Sequence, residues 1–291
     1  MGDELVMKKI LIIFLVSIGL YILFINAMED DWIPFRHQET QATVTENIDM
    51  IEINMTSGNA AIIPEDRQDV KAILEGTGTV SVDKRHDKIT VTVKRKWFEW
   101  FSFSNKNDLK IYIPEDYHQK MAIDMGSGNL KFSGQSKAQP FKLAKLSLNV
   151  SSGNMELKNL EVTNFEHDGS SGNVEVDHLI TKTGTFDISS GKLDIKHYSG
   201  AIKADLSSGK LDLQVDKLVD SIDIDISSGK VNLDLPDDAD FTINGDTGSG
   251  KISCDFPLIS QSTNSNELTG THGSGKHQIN LDVSSGSIQV Y

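Results

Sequence analysis

Carboxylates recur at one place in a repeated pattern. Asp168, Asp187, Asp205, Asp225 and Asp246 each stand four residues before the glycine of a Ser-Gly dipeptide. Asn54, Asp124, Asn149 and Asp282 hold the same place in other units, with Thr271 the exception. Carboxylates stacked at strand spacing repel one another unless something neutralises them. A hard cation such as calcium would do so, but calcium sites in β-solenoids use glycine-rich nonapeptides of the kind GGxGxD, and none occurs here. Amino groups are the other means. The residue after the glycine is Asn in the early units (Asn59, Asn129, Asn154, Asn173) and Lys in the later ones (Lys192, Lys210, Lys230, Lys251, Lys276). The expectation is that Lys192, Lys210 and Lys230 offset Asp187, Asp205 and Asp225, with no bound metal and no cofactor.

A second group is aromatic. Lys94 to Phe103 reads KRKWFEWFSF, so Trp97, Phe98, Trp100, Phe101 and Phe103 follow three basic residues. Rings beside cations suit a membrane interface or a glycan surface. A hairpin tip folded as a cap over the first coil explains the same residues. Catalytic chemistry has less to stand on. The sequence contains no nucleophile elbow, HExxH, P-loop or zinc cysteine set. His167, His178, His197, His272 and His277 read as falling at unrelated repeat positions, and Cys254 is the only cysteine, so no internal disulfide can form. No catalytic residue is expected. The alternative is a carbohydrate-active β-helix enzyme, which would need carboxylates that break the repeat and converge on one face.

These residues must be positioned by strands. Apolar and polar residues alternate in short runs such as Ile188–Ile195, Leu206–Leu213 and Ile222–Leu235, the period of two expected of half-buried strands. A Ser-Gly dipeptide punctuates them at intervals of roughly twenty residues, a solenoid period, with Ser171-Gly172, Ser190-Gly191, Ser208-Gly209 and Ser228-Gly229 among the most regular. Residues three before and two after the glycine are apolar, as in Ile188 with Leu193, Leu206 with Leu211 and Ile226 with Val231, and these should face inward. A glycine between two alternating strands marks a bend where a side chain would clash or φ must be positive. One such unit cannot bury its apolar face alone, whereas stacked units bury it jointly. The pattern predicts an all-β fold, a parallel β-solenoid of roughly twenty-residue coils stacked at about 4.8 Å. A sandwich of stacked hairpins is the competing arrangement.

The rest of the chain gives context. Ile10–Ile25 carries no charge and covers about 24 Å at 1.5 Å per residue; Lys8 and Lys9 precede it, and Glu29, Asp30 and Asp31 follow it. The positive-inside rule keeps the N-terminus cytoplasmic and the remainder outside; a cleaved signal peptide ending near Ala27 would export it as well. The expected organisation is a cytoplasmic N-terminus at 1–9, a transmembrane helix at 10–28, a stalk at 29–43, irregular β coils at 44–125 and a regular repeat body at 126–291. The expected location is the cell membrane, single-pass. A net charge of -14 without a large basic block excludes a nucleic-acid partner. The membrane itself, an envelope polymer or another membrane protein are the partners to expect.

Tandem Ser-Ser-Gly-Asn and Ser-Ser-Gly-Lys units behind a lone membrane helix resemble the bacterial putative-adhesin family, over roughly Val44 to Tyr291. Within it, the single anchor and the length resemble LiaG-type proteins, which accompany an envelope stress-response system in Firmicutes. The resemblance implies a repetitive β fold and an adhesion-like, binding or accessory role at the cell envelope. It supplies no catalytic residues.

Overall fold

The computed structural model describes Ile18 and residues 36–76, 78–94, 108–263 and 266–291. The expected membrane segment, Ile18 apart, and the aromatic segment Trp97, Phe98, Trp100, Phe101 and Phe103 lie outside the described residues. Among the described residues no helix is long and apolar enough to cross a membrane.

The described body is all-β and mostly parallel. Two parallel series of strands run along it, and each repeat gives one strand to each series. The first series runs, in spatial order, through 88–94, 50–55, 120–125, 141–150, 164–169, 183–188, 201–206, 222–226, 277–283 and 241–247. The second runs through 108–114, 59–65, 129–133, 154–158, 173–177, 192–196, 210–214, 230–234, 287–290 and 251–254. Except between Lys88–Lys94 and Asp108–Pro114, a Ser-Gly corner carries the chain from the first series to the second. In successive coils an opposite corner returns it, at Asn159, His178 and His197, all of positive φ.

Alternation fills the interior. Leu193, Ile195, Tyr198, Ile202, Ala204 and Leu206 of one coil are each at most 2% exposed. They stack on equivalents such as Val174, Val176, Phe186 and Ile188 from the coil before. A Val, Leu, Ile or Phe side chain so buried contributes about 1.5–3 kcal/mol, so neighbouring coils hold one another.

The Ser-Gly corners are laddered as regularly as the strands. Ser171 N–H donates to Ser151 O at 2.8 Å, Ser190 to Ser170 at 2.8 Å, Ser208 to Ser189 at 2.7 Å and Ser228 to Ser207 at 2.8 Å. A Cβ on Gly191 would sit 2.3 Å from the Gly172 carbonyl oxygen one coil away. There, close approach between coils is what requires glycine.

Stacking order departs from chain order at both ends. Met50–Met55 lies between Lys88–Lys94 and Lys120–Met125. His277–Val283 likewise lies between Ile222–Ile226 and Phe241–Thr247. Antiparallel strands then cover outer edges: Thr79–Arg85 on Lys88–Lys94, Asp69–Gly76 on Asp108–Pro114, and Glu267–His272 on Phe241–Thr247. Covered edges resist pairing with a second chain. One repeat assignment is corrected here. Ser274-Gly275 and Lys276 form the turn between Glu267–His272 and His277–Val283, not a coil corner, which is why Thr271 breaks the acidic pattern.

Candidate binding surface

The parallel register places the acidic positions side by side on the outside of the first series. Asn149 is the register partner of Asp168, then Asp187, Asp205, Asp225, Asp282 and Asp246 follow in turn. Asp187, Asp205, Asp225 and Asp282 line a shallow groove of about 270 Å³ with Ser207, Ser227 and Ser284. Partial burial raises the Asp225 carboxyl above its ordinary value, and the neighbouring charges of Asp205 and Asp282 raise it further against the opposing Lys203.

The lysines do not offset this ladder. Lys192 Nζ reaches Asp194 Oδ2 at 3.0 Å and Asp212 Oδ2 at 3.7 Å, and Lys210 Nζ reaches Asp212 Oδ2 at 2.6 Å. The expected pairing with Asp187 and Asp205 fails because the Ser-Gly corner lies between them. Residues before it project from the first series and residues after it from the second. The bond to Asp194 raises the Lys192 ammonium. Burial works to raise the Asp212 carboxyl, but Lys210 and Asn232, each at 2.6 Å, hold it below the usual carboxylate range.

The asparagines preceding these lysines in the same column bond to one another. Asn129 Nδ2 donates to Asn59 Oδ1 and Asn154 Nδ2 to Asn129 Oδ1, both at 2.9 Å. Asn173, Lys192, Lys210 and Lys230 continue the column in register. Along the corner itself runs an open trough of about 720 Å³, lined by the serines and glycines of successive corners together with Asn173, Lys192, Lys210 and Lys230. Ser190, Ser208 and Ser228 are exposed there. The surface therefore repeats a hydroxyl, a backbone turn and an amide or ammonium group once per coil. It can donate and accept hydrogen bonds at many equivalent points, and it sets no acid opposite a base.

Two histidine positions were misjudged from sequence. His178 and His197 share one repeat position, six residues after Gly172 and Gly191, and counting from the glycine would have found it. Their ring centroids are 4.6 Å apart. His167 points into the core, where it is 4% exposed. His272 packs on Phe241 and Phe256 at centroid distances of 5.6 and 5.0 Å. Cys254 is half-buried, and burial raises its thiol.

Comparison with known proteins agrees with this architecture. The profile of the Toastrack DUF4097 family matches residues 48–291. The fold is similar to that of a putative adhesin from Bacteroides fragilis, with a TM-score of 0.53 at 13% identity over 88% of this chain and 97% of that one. A putative adhesin from Parabacteroides merdae gives 0.46 at 12% identity over 88% and 96%. A putative lipid binding protein from Parabacteroides distasonis gives 0.44 at 16% identity over 88% and 97%. No curated protein matches the chain. At these identities the likeness concerns fold alone, and no enzyme family is indicated. With five-sixths of its length matched from residue 48 to the last residue, the chain belongs to the Toastrack DUF4097 family.

Proposed function

We propose that the protein is a non-catalytic binding component of the cell envelope, carried on one N-terminal membrane helix, and that its repeat body engages a linear glycan along the Ser-Gly trough. The observation that carries this reading is the trough, about 720 Å³ of hydroxyl-bearing corners repeated once per coil. A polymer with regularly spaced hydroxyls meets the same partners again at each coil, about 4.8 Å further on. Two of the three lysines that line it, Lys192 and Lys210, are paired with Asp194 and Asp212, which limits the positive charge of this surface. That suits a polyol better than a polyanion. The charges around Ile10–Ile25 support display outside the cell, and the LiaG-type resemblance supports an accessory role in envelope stress.

The test uses the full-length protein in detergent and soluble glycan strands from cell wall. Replacing Ser190, Ser208 and Ser228 together by valine removes three hydroxyls and fills the trough while leaving the core alone. At least a tenfold loss of affinity with an unchanged melting temperature is expected. Undiminished binding by the triple variant would refute the assignment of the trough.

A further inference from the structure

The corner opposite the Ser-Gly ladder is turned in three successive coils by residues of positive φ other than glycine: Asn159 at 54°, His178 at 63° and His197 at 58°. Left-handed backbone is uncommon outside glycine, with Asn, Asp and His the enriched exceptions. Two of the three residues here are imidazoles. The register, Asp177 beside Lys196 and Leu179 beside Tyr198, stacks His178 on His197.

Two carboxylates flank the pair. Asp177 Oδ1 lies 3.3 Å from His178 Nδ1, and Asp216 Oδ1, from the following coil, lies 2.9 Å from His197 Nδ1. Asp177, His178 and His197 each offer one ligand atom, and the three atoms lie within 4.8 Å of one another. Zinc bonds of about 2.0–2.1 Å place tetrahedral ligands roughly 3.4 Å apart. The remaining closure is within reach of side-chain rotation, because the His178 and His197 side chains are 22% and 38% exposed. Of the two lysines in register with Asp177, Lys158 and Lys196, the first is already engaged by Glu156.

We propose that His178, His197 and Asp177 bind a divalent transition-metal ion of the zinc class, with Asp216 as a positioning residue. Imidazole favours zinc, nickel or copper, whereas calcium and magnesium prefer all-oxygen sites. A carboxylate accepting from Nδ1–H leaves the lone pair of His197 on Nε2, the carboxylate–histidine–metal arrangement in which an outer carboxylate fixes the tautomer. Bound there, the ion links two coils directly and a third through Asp216. It sits on the corner opposite the proposed glycan trough and is independent of it.

The test titrates zinc chloride into the full-length, histidine-tag-free protein by calorimetry, with calcium and magnesium chlorides in parallel. The expected result is one zinc ion per chain, a melting temperature that rises with free zinc by ligand linkage, and no response to calcium or magnesium. His178→Asn with His197→Asn keeps the backbone geometry, since Asn159 holds the same repeat position in the same left-handed region. This double variant should bind zinc at least tenfold more weakly and melt as the parent does in chelator. Asp216→Asn should weaken binding less than the double histidine change. His272→Ala with His277→Ala should leave binding unchanged. Zinc binding that survives in the double asparagine variant, equal binding of calcium, or no zinc binding by the parent would each overturn the proposal.

Discussion

At the residue scale, one buried group stands out against an otherwise hydrophobic interior. His167 occupies the inward position held by Leu148 in the coil before it and Phe186 in the coil after. Both ring nitrogens lack a hydrogen-bond partner. The ring fills space left by Gly169, where an added Cβ would meet His167 Cε1 at 2.5 Å. Burial pushes the imidazole down to about 4, with Asp168 opposing. The folded pKa is thus below the unfolded value of about 6.5, and the unfolded chain binds the proton more tightly. Stability should be fully present above pH 6.5 and fall as pH drops towards 4, by about 3 kcal/mol from this group. His167→Leu, which copies the neighbouring coil, is expected to flatten the pH dependence of the melting temperature between pH 7 and 4.5. A variant with the parent's pH profile would show that His167 does not titrate on unfolding. The repeat spacing reveals the inward parity of this position. It could not reveal that a histidine would be accommodated there, because the space comes from Gly169 two residues on.

At the element scale, the Ser-Gly corner decides how closely coils approach. An alanine at Gly191 places its Cβ 2.3 Å from the Gly172 carbonyl oxygen, a backbone atom that also accepts the Lys192 N–H at 2.9 Å. Neither can yield without spreading the ladder. Gly191→Ala should cost about 1–3 kcal/mol, the range for overpacking a tight site, whereas Ser190→Ala at the exposed neighbour should stay within about 0.5 kcal/mol. Equal shifts in urea unfolding would contradict the close approach between corners. Sequence spacing identified this corner and the apolar positions around it, since Leu193, Leu206, Leu211 and Val231 all face inward. It misjudged the charges. Asp187 and Lys192 are five residues apart in the chain, yet they project from different strand series on either side of a corner, so distance along the chain says little about contact. The shared repeat position of His178 and His197 is hidden for a related reason. Other histidines scatter through the chain and obscure a pair that becomes visible only when counted from the glycine.

At the scale of the whole molecule, stacking order was the least legible property. A regular repeat suggests that coils stack in chain order, but the first and last coils are each inserted one place inward, leaving the edges to coils flanked by antiparallel strands. The insertion gives Met50–Met55 and His277–Val283 parallel partners on both sides, so no edge strand of the two series is closest to a chain end. Nothing in the local pattern of either coil marks it for insertion, because each has the same alternation as its neighbours. What the stack as a whole creates is a continuous row of equivalent corners, along which the proposed glycan would lie. The most direct test is the calorimetric affinity of the full-length protein for glycan strands of increasing length. Affinity should rise with each added unit until the ligand spans the corners from Ser171 to Ser285 that line the trough, and then level off. Affinity that does not depend on length would place binding at a single local site and contradict the account.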